Sequence, residues 1–172
     1  MTIIFEKSKK ISLDDESFRS ELLSIASKID DVIPLGRGDP DFHTPKHIVD
    51  AAKKALDDNK HHYTPPNGLP ELRVAISKNL LKKYNLNYSE NEIVVTAGVQ
   101  ESIALAMLSL LETGDEVLIT SPRFTTYDLN VRMCNAKPIP IPTYEKNNFS
   151  LMPEIIENKI NERTKVIVLV SP

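Results

Sequence analysis

Four separated stretches hold residue types and spacings that could do chemistry: GRGDPDFHTP at 36–45, YTPPNGLPELR at 63–73, VVTAGVQESI at 94–103 and SPRFTTY at 121–127. In the third, a β-branched run over 93–96 predicts a buried strand, Ala97 and Gly98 a tight turn, and an apolar helix begins near Val99. A strand-turn-helix of this kind aims free backbone N–H groups and the positive end of a helix dipole at one spot, which suits a phosphate. Many α/β proteins contain such a corner, so any specificity comes from the other three stretches.

The elements that must position these residues follow from periodicity and punctuation. A helix is predicted over 14–29, with Phe18, Leu22, Ile25 and Ile29 on one face and Ser12 as its cap. Residues 30–45 contain two Gly and three Pro and read as a binding loop or a crossing between domains. Thr44 and Pro45 then start a helix running to 58, with Ile48, Ala51, Ala52, Ala55 and Leu56 inward. A further helix over 70–84 has Leu72, Ala75, Ile76, Leu80 and Tyr84 as its buried stripe.

From residue 91 strands and helices alternate. Strands are predicted at 92–96, 116–120, 137–142 and 165–170, and helices at 99–112, from 121–127 to about 134, and at 151–161. Gly114 is the expected left-handed terminator of the first of these helices and Ser150 the cap of the last. Pro138, Pro140 and Pro142 cannot donate to a ladder, so 137–142 belongs at a sheet edge. Ser89 and Glu92 match a capping box, but Ile-Val-Val follows, and a strand is expected there instead. The alternation implies an α/β fold, a largely parallel sheet with helices on its faces.

Composition sets outer bounds. The 172 residues carry a net charge of −3 with both signs interspersed, which leaves no nucleic-acid footprint. A single cysteine, Cys134, excludes an internal disulfide framework and reads as a small buried or half-buried residue. The apolar part of MTIIFEKSKK is too short for a signal peptide, and no run of about 18 apolar residues exists. A soluble, cytoplasmic chain is therefore expected. His43 and His47 are four apart, but a helix start lies between them, and His61 and His62 are adjacent, so no metal site is expected.

In combination, order and spacing, the four stretches resemble the N-terminal part of the class I/II aminotransferases, pyridoxal-phosphate (PLP) enzymes of fold type I, from about Val32 onward. The resemblance implies a partial large domain with a largely parallel sheet, plus an N-terminal segment of the small domain. It divides the chain into 1–45, an N-terminal helix and substrate loop, and 46–172, the first part of the PLP-binding domain. It also implies site residues. Gly38, with Gly36 in the same turn, would bring backbone against the substrate carboxylate. Tyr63 would reach across a homodimer to the partner's cofactor phosphate. Gly98, Val99 and Gln100 would form the phosphate cup, and Phe124 would stack on the pyridine ring. Read without the resemblance, the glycines permit a tight turn, Pro65-Pro66-Asn67-Gly68 introduces a helix, Gln100 is a first-turn glutamine, and Phe124 serves equally as core. Tyr127, one helical turn on, is assigned to packing, and Arg123 has no assigned role.

The same resemblance implies that the Schiff-base lysine, the acid facing the pyridine nitrogen and the carboxylate-binding arginine follow the point where this chain ends, at VIVLVSP. Neither Lys46, Lys60, Lys137 nor Lys165 matches the family's lysine motif. The chain is thus expected to be the first part of a longer PLP-dependent enzyme that exchanges an amino group between an amino acid and a 2-oxo acid. Two rivals stand beside that reading: another fold-type-I PLP reaction, such as C–S lysis or an aminocyclopropane-carboxylate synthase-like cleavage, and a non-catalytic regulatory domain. Expressed alone, the 172 residues should not transaminate, and borohydride should trap no stable cofactor adduct; a transaminating 172-residue monomer contradicts the expectation.

Overall fold

The computed structural model describes the backbone of residues 15–33, 38 and 40–170, with side chains described from residue 21 on. These residues fall into two compact units: Ile29–Thr96, and the described parts of Met1–Lys28 and Ala97–Pro172. Gly36 and Ser12 lie outside the described residues.

In the first unit, α2 (Lys46–Asp57) and α3 (Pro70–Tyr84) are joined by the Tyr63–Gly68 passage. Pro45, rather than Thr44, is the N-cap of α2, and no side chain caps it. The Pro45 carbonyl accepts from the N–H groups of Ile48 and Val49, so the helix begins one residue later than Pro at the first helical position would place it. No residue of α2 is buried, and Ile48 and Leu56 are exposed, so the expected inward face is uncovered among the described residues.

The helix α3 has the expected span and an inner face that is only partly the expected one. Ile76 and Leu80 are covered as expected, together with Arg73, Val74 and Ser77, while Leu72, Ala75 and Tyr84 are exposed. That face is set by polar anchors. Arg73 Nη1 donates to the Glu90 carbonyl at 2.6 Å and Ser77 Oγ to the Tyr88 carbonyl at 2.5 Å, pinning α3 to residues 88–90. A hydropathy stripe could not register those anchors. The helix ends at Asn85, in the left-handed conformation that asparagine tolerates (φ 56°).

The Ser89–Glu92 capping box does form, on a 3₁₀ turn at Glu90–Glu92. Ser89 N–H and Oγ both donate to Glu92, each at 2.9 Å, and these bonds hold the Glu92 carboxyl below its ordinary value. The strand expected at 92–96 is not formed. Ile93 is extended (φ −117°, ψ 128°), but residues 93–96 pair with no strand among the described residues. β-branched residues extend a backbone, whereas a ladder also requires a neighbour. The neighbour of this segment is a turn: Gly68 N–H closes onto the Pro65 carbonyl at 2.8 Å, and Val95 N–H donates to the Asn67 carbonyl at 3.1 Å.

The second unit is built on a three-stranded parallel sheet in the order β2-β1-β3: β1 (Glu116–Ser121), β2 (Lys137–Pro142) and β3 (Thr164–Val168). As expected, β2 pairs on one side only among the described residues. Lys137 N–H donates to Asp115 and Thr143 N–H to Ser121, so the odd positions face β1 and Pro138, Pro140 and Pro142 face outward. Val117 and Ile119 of β1 pack with Met107 of α4 (Val99–Leu110), Leu111 just after it, Val131 of α5 (Thr126–Met133) and Ala136. Burying each such aliphatic side chain stabilises the fold by about 1.5–3 kcal/mol. Tyr127 and Cys134 pack partly buried against this core, in line with the sequence reading.

Three boundaries differ from expectation. Gly114 has φ 92° but lies three residues beyond the Leu111 cap of α4, in a turn where Glu112 N–H donates to Asp115 and Gly114 N–H to Asn135. Helix α6 is short (Pro153–Glu157), and Ser150 does not cap it; Met152 does, because Asn148 and Phe149 are left-handed and the chain is still turning at 150. The helix α1 spans Asp15–Ala26, and Leu22 and Ile25 on its expected apolar face are about half exposed.

The contact between Gly68 and Val95 yields a direct test. A Cβ on Gly68, whose φ is +97°, would sit 2.7 Å from Val95 Cβ and Cγ2. Gly68→Ala should therefore lose about 1–3 kcal/mol through strain and overlap together, and Val95→Ala in the same chain should recover part of it. Denaturant midpoints of the single and double variants measure both, and an unchanged midpoint for Gly68→Ala refutes the packing described.

Candidate phosphate and ring-binding site

Because the three strands are parallel, their carboxyl ends lie on one side, where ligands of open α/β sheets bind. The helix α4 begins there. Its N-cap is Gly98 (φ 85°, ψ 170°), a conformation that a side chain rarely adopts, and Val99 and Gln100 are its first two residues. At these positions an α-helix supplies no intrahelical acceptor for the backbone N–H. A Cβ built on Gly98 meets nothing within 4 Å, so the space before the helix is open. The placement of Val99 and Gln100 in the first turn is as the sequence indicates, although the preceding segment is extended chain rather than a paired strand.

Two side chains brace this corner. The Glu101 carboxylate turns back and accepts the Ala97 N–H, holding the turn from within the first helical turn. The Gln100 amide donates to Thr126 Oγ1 at 3.1 Å, joining the start of α4 to the start of α5. Gln100 thus contributes its backbone to the open space while its side chain is engaged with Thr126. Asn130 Nδ2 in turn donates to the Thr126 carbonyl at 2.9 Å.

Between β1 and α5 the chain passes through Arg123 and Phe124. Phe124 lies three residues beyond the end of β1 and is 52% exposed, so it is not a core residue of this unit. Arg123 grips Asp128 with both arms of its guanidinium, Nε to Oδ2 at 2.7 Å and Nη2 to Oδ1 at 2.5 Å. The side chains are only 15% and 19% exposed. The hydrogen bonds to Asp128 raise the Arg123 pKa above its ordinary value, against partial burial, which lowers it; the Asp128 charge adds to the rise.

The remaining expected residues lie in the other unit. Tyr63 is fully exposed beside His61 and His62, whose rings meet edge to face at 4.9 Å. Gly38 is exposed, and a Cβ there would meet nothing within 4 Å. A cavity of about 590 Å³ at the strand ends is lined by Thr120, Pro122, Thr143, Asn148, Phe149, Leu151, Leu169 and Val170, with no cationic side chain among these described residues. Among the described residues no cluster of His, Cys, Asp or Glu could hold a metal, and no helix is long and apolar enough to cross a membrane.

Sequence reasoning missed Thr126, Glu101 and the Arg123–Asp128 pair. Glu101 stands three residues after the N-cap, the capping-box position, but Gly98 has no hydroxyl to complete the pattern. Arg123 and Asp128 are five apart across a loop–helix junction, a separation that no helical or strand rule flags.

The unit thus combines a parallel α/β sheet, a helix that starts at Gly98 at its carboxyl side, and an exposed aromatic at the end of β1. The profile of the family described as "Aminotransferase class I and II" matches residues 30–172, and the chain belongs to that family, whose members are PLP-dependent. An aspartate aminotransferase of Pyrococcus horikoshii is 44% identical over 164 residues, covering 95% of this chain and 42% of its own length. Aromatic-amino-acid aminotransferase 2 of Thermococcus litoralis is 34% identical over 96% of this chain and 43% of its own. The solved alanine aminotransferase of Pyrococcus furiosus superposes with a TM-score of 0.87 at 32% identity, over 94% of this chain and 43% of that one. The chain therefore spans somewhat over two-fifths of these relatives, and its fold is that of the corresponding part of fold type I.

The open space before Gly98 is accessible to a direct test in the full-length protein. Gly98→Val should lower stability by about 1 kcal/mol or more through backbone strain, while raising the Kd for PLP at least about tenfold because the side chain enters the space before the helix. Equal PLP titrations for the two proteins would show that the phosphate binds elsewhere.

Proposed function

We propose that the protein containing this chain is a PLP-dependent aminotransferase, moving an amino group between an amino acid and a 2-oxo acid. The observation that carries the reading is the joined corner: the start of α4, open at Gly98, is tied at 3.1 Å through Gln100 to the helix that follows Phe124. Family membership gives that corner its chemistry. In this reading the N–H groups of Gly98, Val99 and Gln100 hold the cofactor phosphate, assisted by the helix dipole. Phe124 covers one face of the pyridine ring and keeps water from it. When bound, the cofactor supplies the electron sink that lets a substrate α-hydrogen leave as a proton. The chain's own part is to bind and orient; none of its lysines is assigned to proton transfer.

The full exposure of Tyr63 supports its use outside its own unit, and we assign it to the phosphate held by the partner subunit of a homodimer. Gly38, which is exposed, is assigned to the substrate carboxylate. The arrangement of residues 1–45 as arm and substrate loop and 46–172 as the start of the cofactor domain belongs to the same proposal, as does a cytoplasmic location. The three relatives named above carry aspartate, aromatic amino acids and alanine in their names, so this segment supports no choice of substrate.

Titration of the full-length protein with PLP tests the reading. Phe124→Ala should weaken binding by about 1–3 kcal/mol, the scale of a lost buried aromatic contact, whereas Phe124→Trp should remain within a few fold of wild type. Failure of the wild-type protein to bind PLP or to exchange amino groups with any of a panel of 2-oxo acids refutes it.

A further inference from the structure

Phe124 sits on the turn between Ser121, the last ladder residue of β1, and Thr126, the first residue of α5, and its carbonyl accepts the Tyr127 N–H at 3.4 Å. Two side-chain tethers also cross that turn. One is the Gln100–Thr126 hydrogen bond. The other is the two-pronged Arg123–Asp128 pair, which spans Phe124 from the residue before it to the first turn of α5. An isolated exposed ion pair contributes little, but this one is doubly hydrogen-bonded and mostly shielded from water. It brackets the Phe124 ring, which is 52% exposed.

We propose that Arg123 and Asp128 are positioning residues that set the angle and height of the Phe124 ring over the cofactor site. The proposal rests on the functional reading above. Lysine cannot replace Arg123 in this role, because an ammonium is a point charge and does not define a plane. The Gln100–Thr126 bond links the same turn to the phosphate cup, so a shift of the turn reaches both ends of the ligand.

The test is a double-variant cycle in the full-length protein, read by PLP titration and by visible circular dichroism of the bound cofactor, whose sign and amplitude report ring tilt. Asp128→Ala and Arg123→Lys should each raise the Kd about fivefold and change the dichroism amplitude, and each should have little further effect in a chain that already carries Phe124→Ala. Exchanging the partners, R123D with D128R, should restore much of the wild-type signal. If Asp128→Ala does not fold, the isosteric Asp128→Asn carries the same cycle. Equal losses with and without the Phe124→Ala substitution, or an unchanged dichroism with a lowered melting temperature, would make the pair merely structural and overturn the proposal. A wild-type protein that binds no PLP, or a Phe124→Ala variant with unchanged affinity, would instead sink the functional reading itself, before the pair is touched.

Discussion

β1 hydrogen-bonds along both edges, to β2 on one side and β3 on the other, and its Val117, Leu118 and Ile119 are fully buried. No other strand among the described residues has two partners. The parallel register requires that each connection return to the same starting end, which is why helices, and not hairpins, join the strands. The loop after β1 emerges at the carboxyl edge, and there the Gln100–Thr126 bond joins the start of α4 to the start of α5. A substitution that loosened Val117 or Ile119 would reach this corner without touching it.

Side-chain hydrogen bonds then refine what the ladder only roughly arranges. Glu101 closes the turn at Ala97, Gln100 joins two helix starts, and Arg123 with Asp128 braces the loop that carries the aromatic ring. Each lies at or beside the first turn of a helix, where backbone groups lack helical partners and side chains have something to hold.

Where a residue's role came from its own backbone, the sequence was a sound guide. The span of α3, the proline-bearing edge strand, the Pro65–Gly68 turn and the start of α4 at Val99 all follow from local punctuation. It failed where the outcome depended on a partner. Residues 93–96 have every local mark of a strand, yet a strand is a relation between two chain segments, and their described neighbour is a turn. The inner face of α3 was read only in part, at Ile76 and Leu80, because Arg73, 7% exposed, is held inward by a carbonyl seventeen residues away, where hydropathy would have put it in water. Arg123 and Asp128 were invisible for a related reason: their pairing crosses from loop to helix, outside any periodic rule.

The outward row of prolines on β2 has an effect on the sheet as a whole. Pro138, Pro140 and Pro142 leave the free side of this strand with carbonyl oxygens and no amide protons, while Lys137, Ile139 and Ile141 direct theirs to β1. A stray strand arriving there would find acceptors but no donors, and half of any new ladder could not form. The sheet is therefore one-sided in its capacity to grow: closed by imino chemistry at β2, and open to extension only beyond β3.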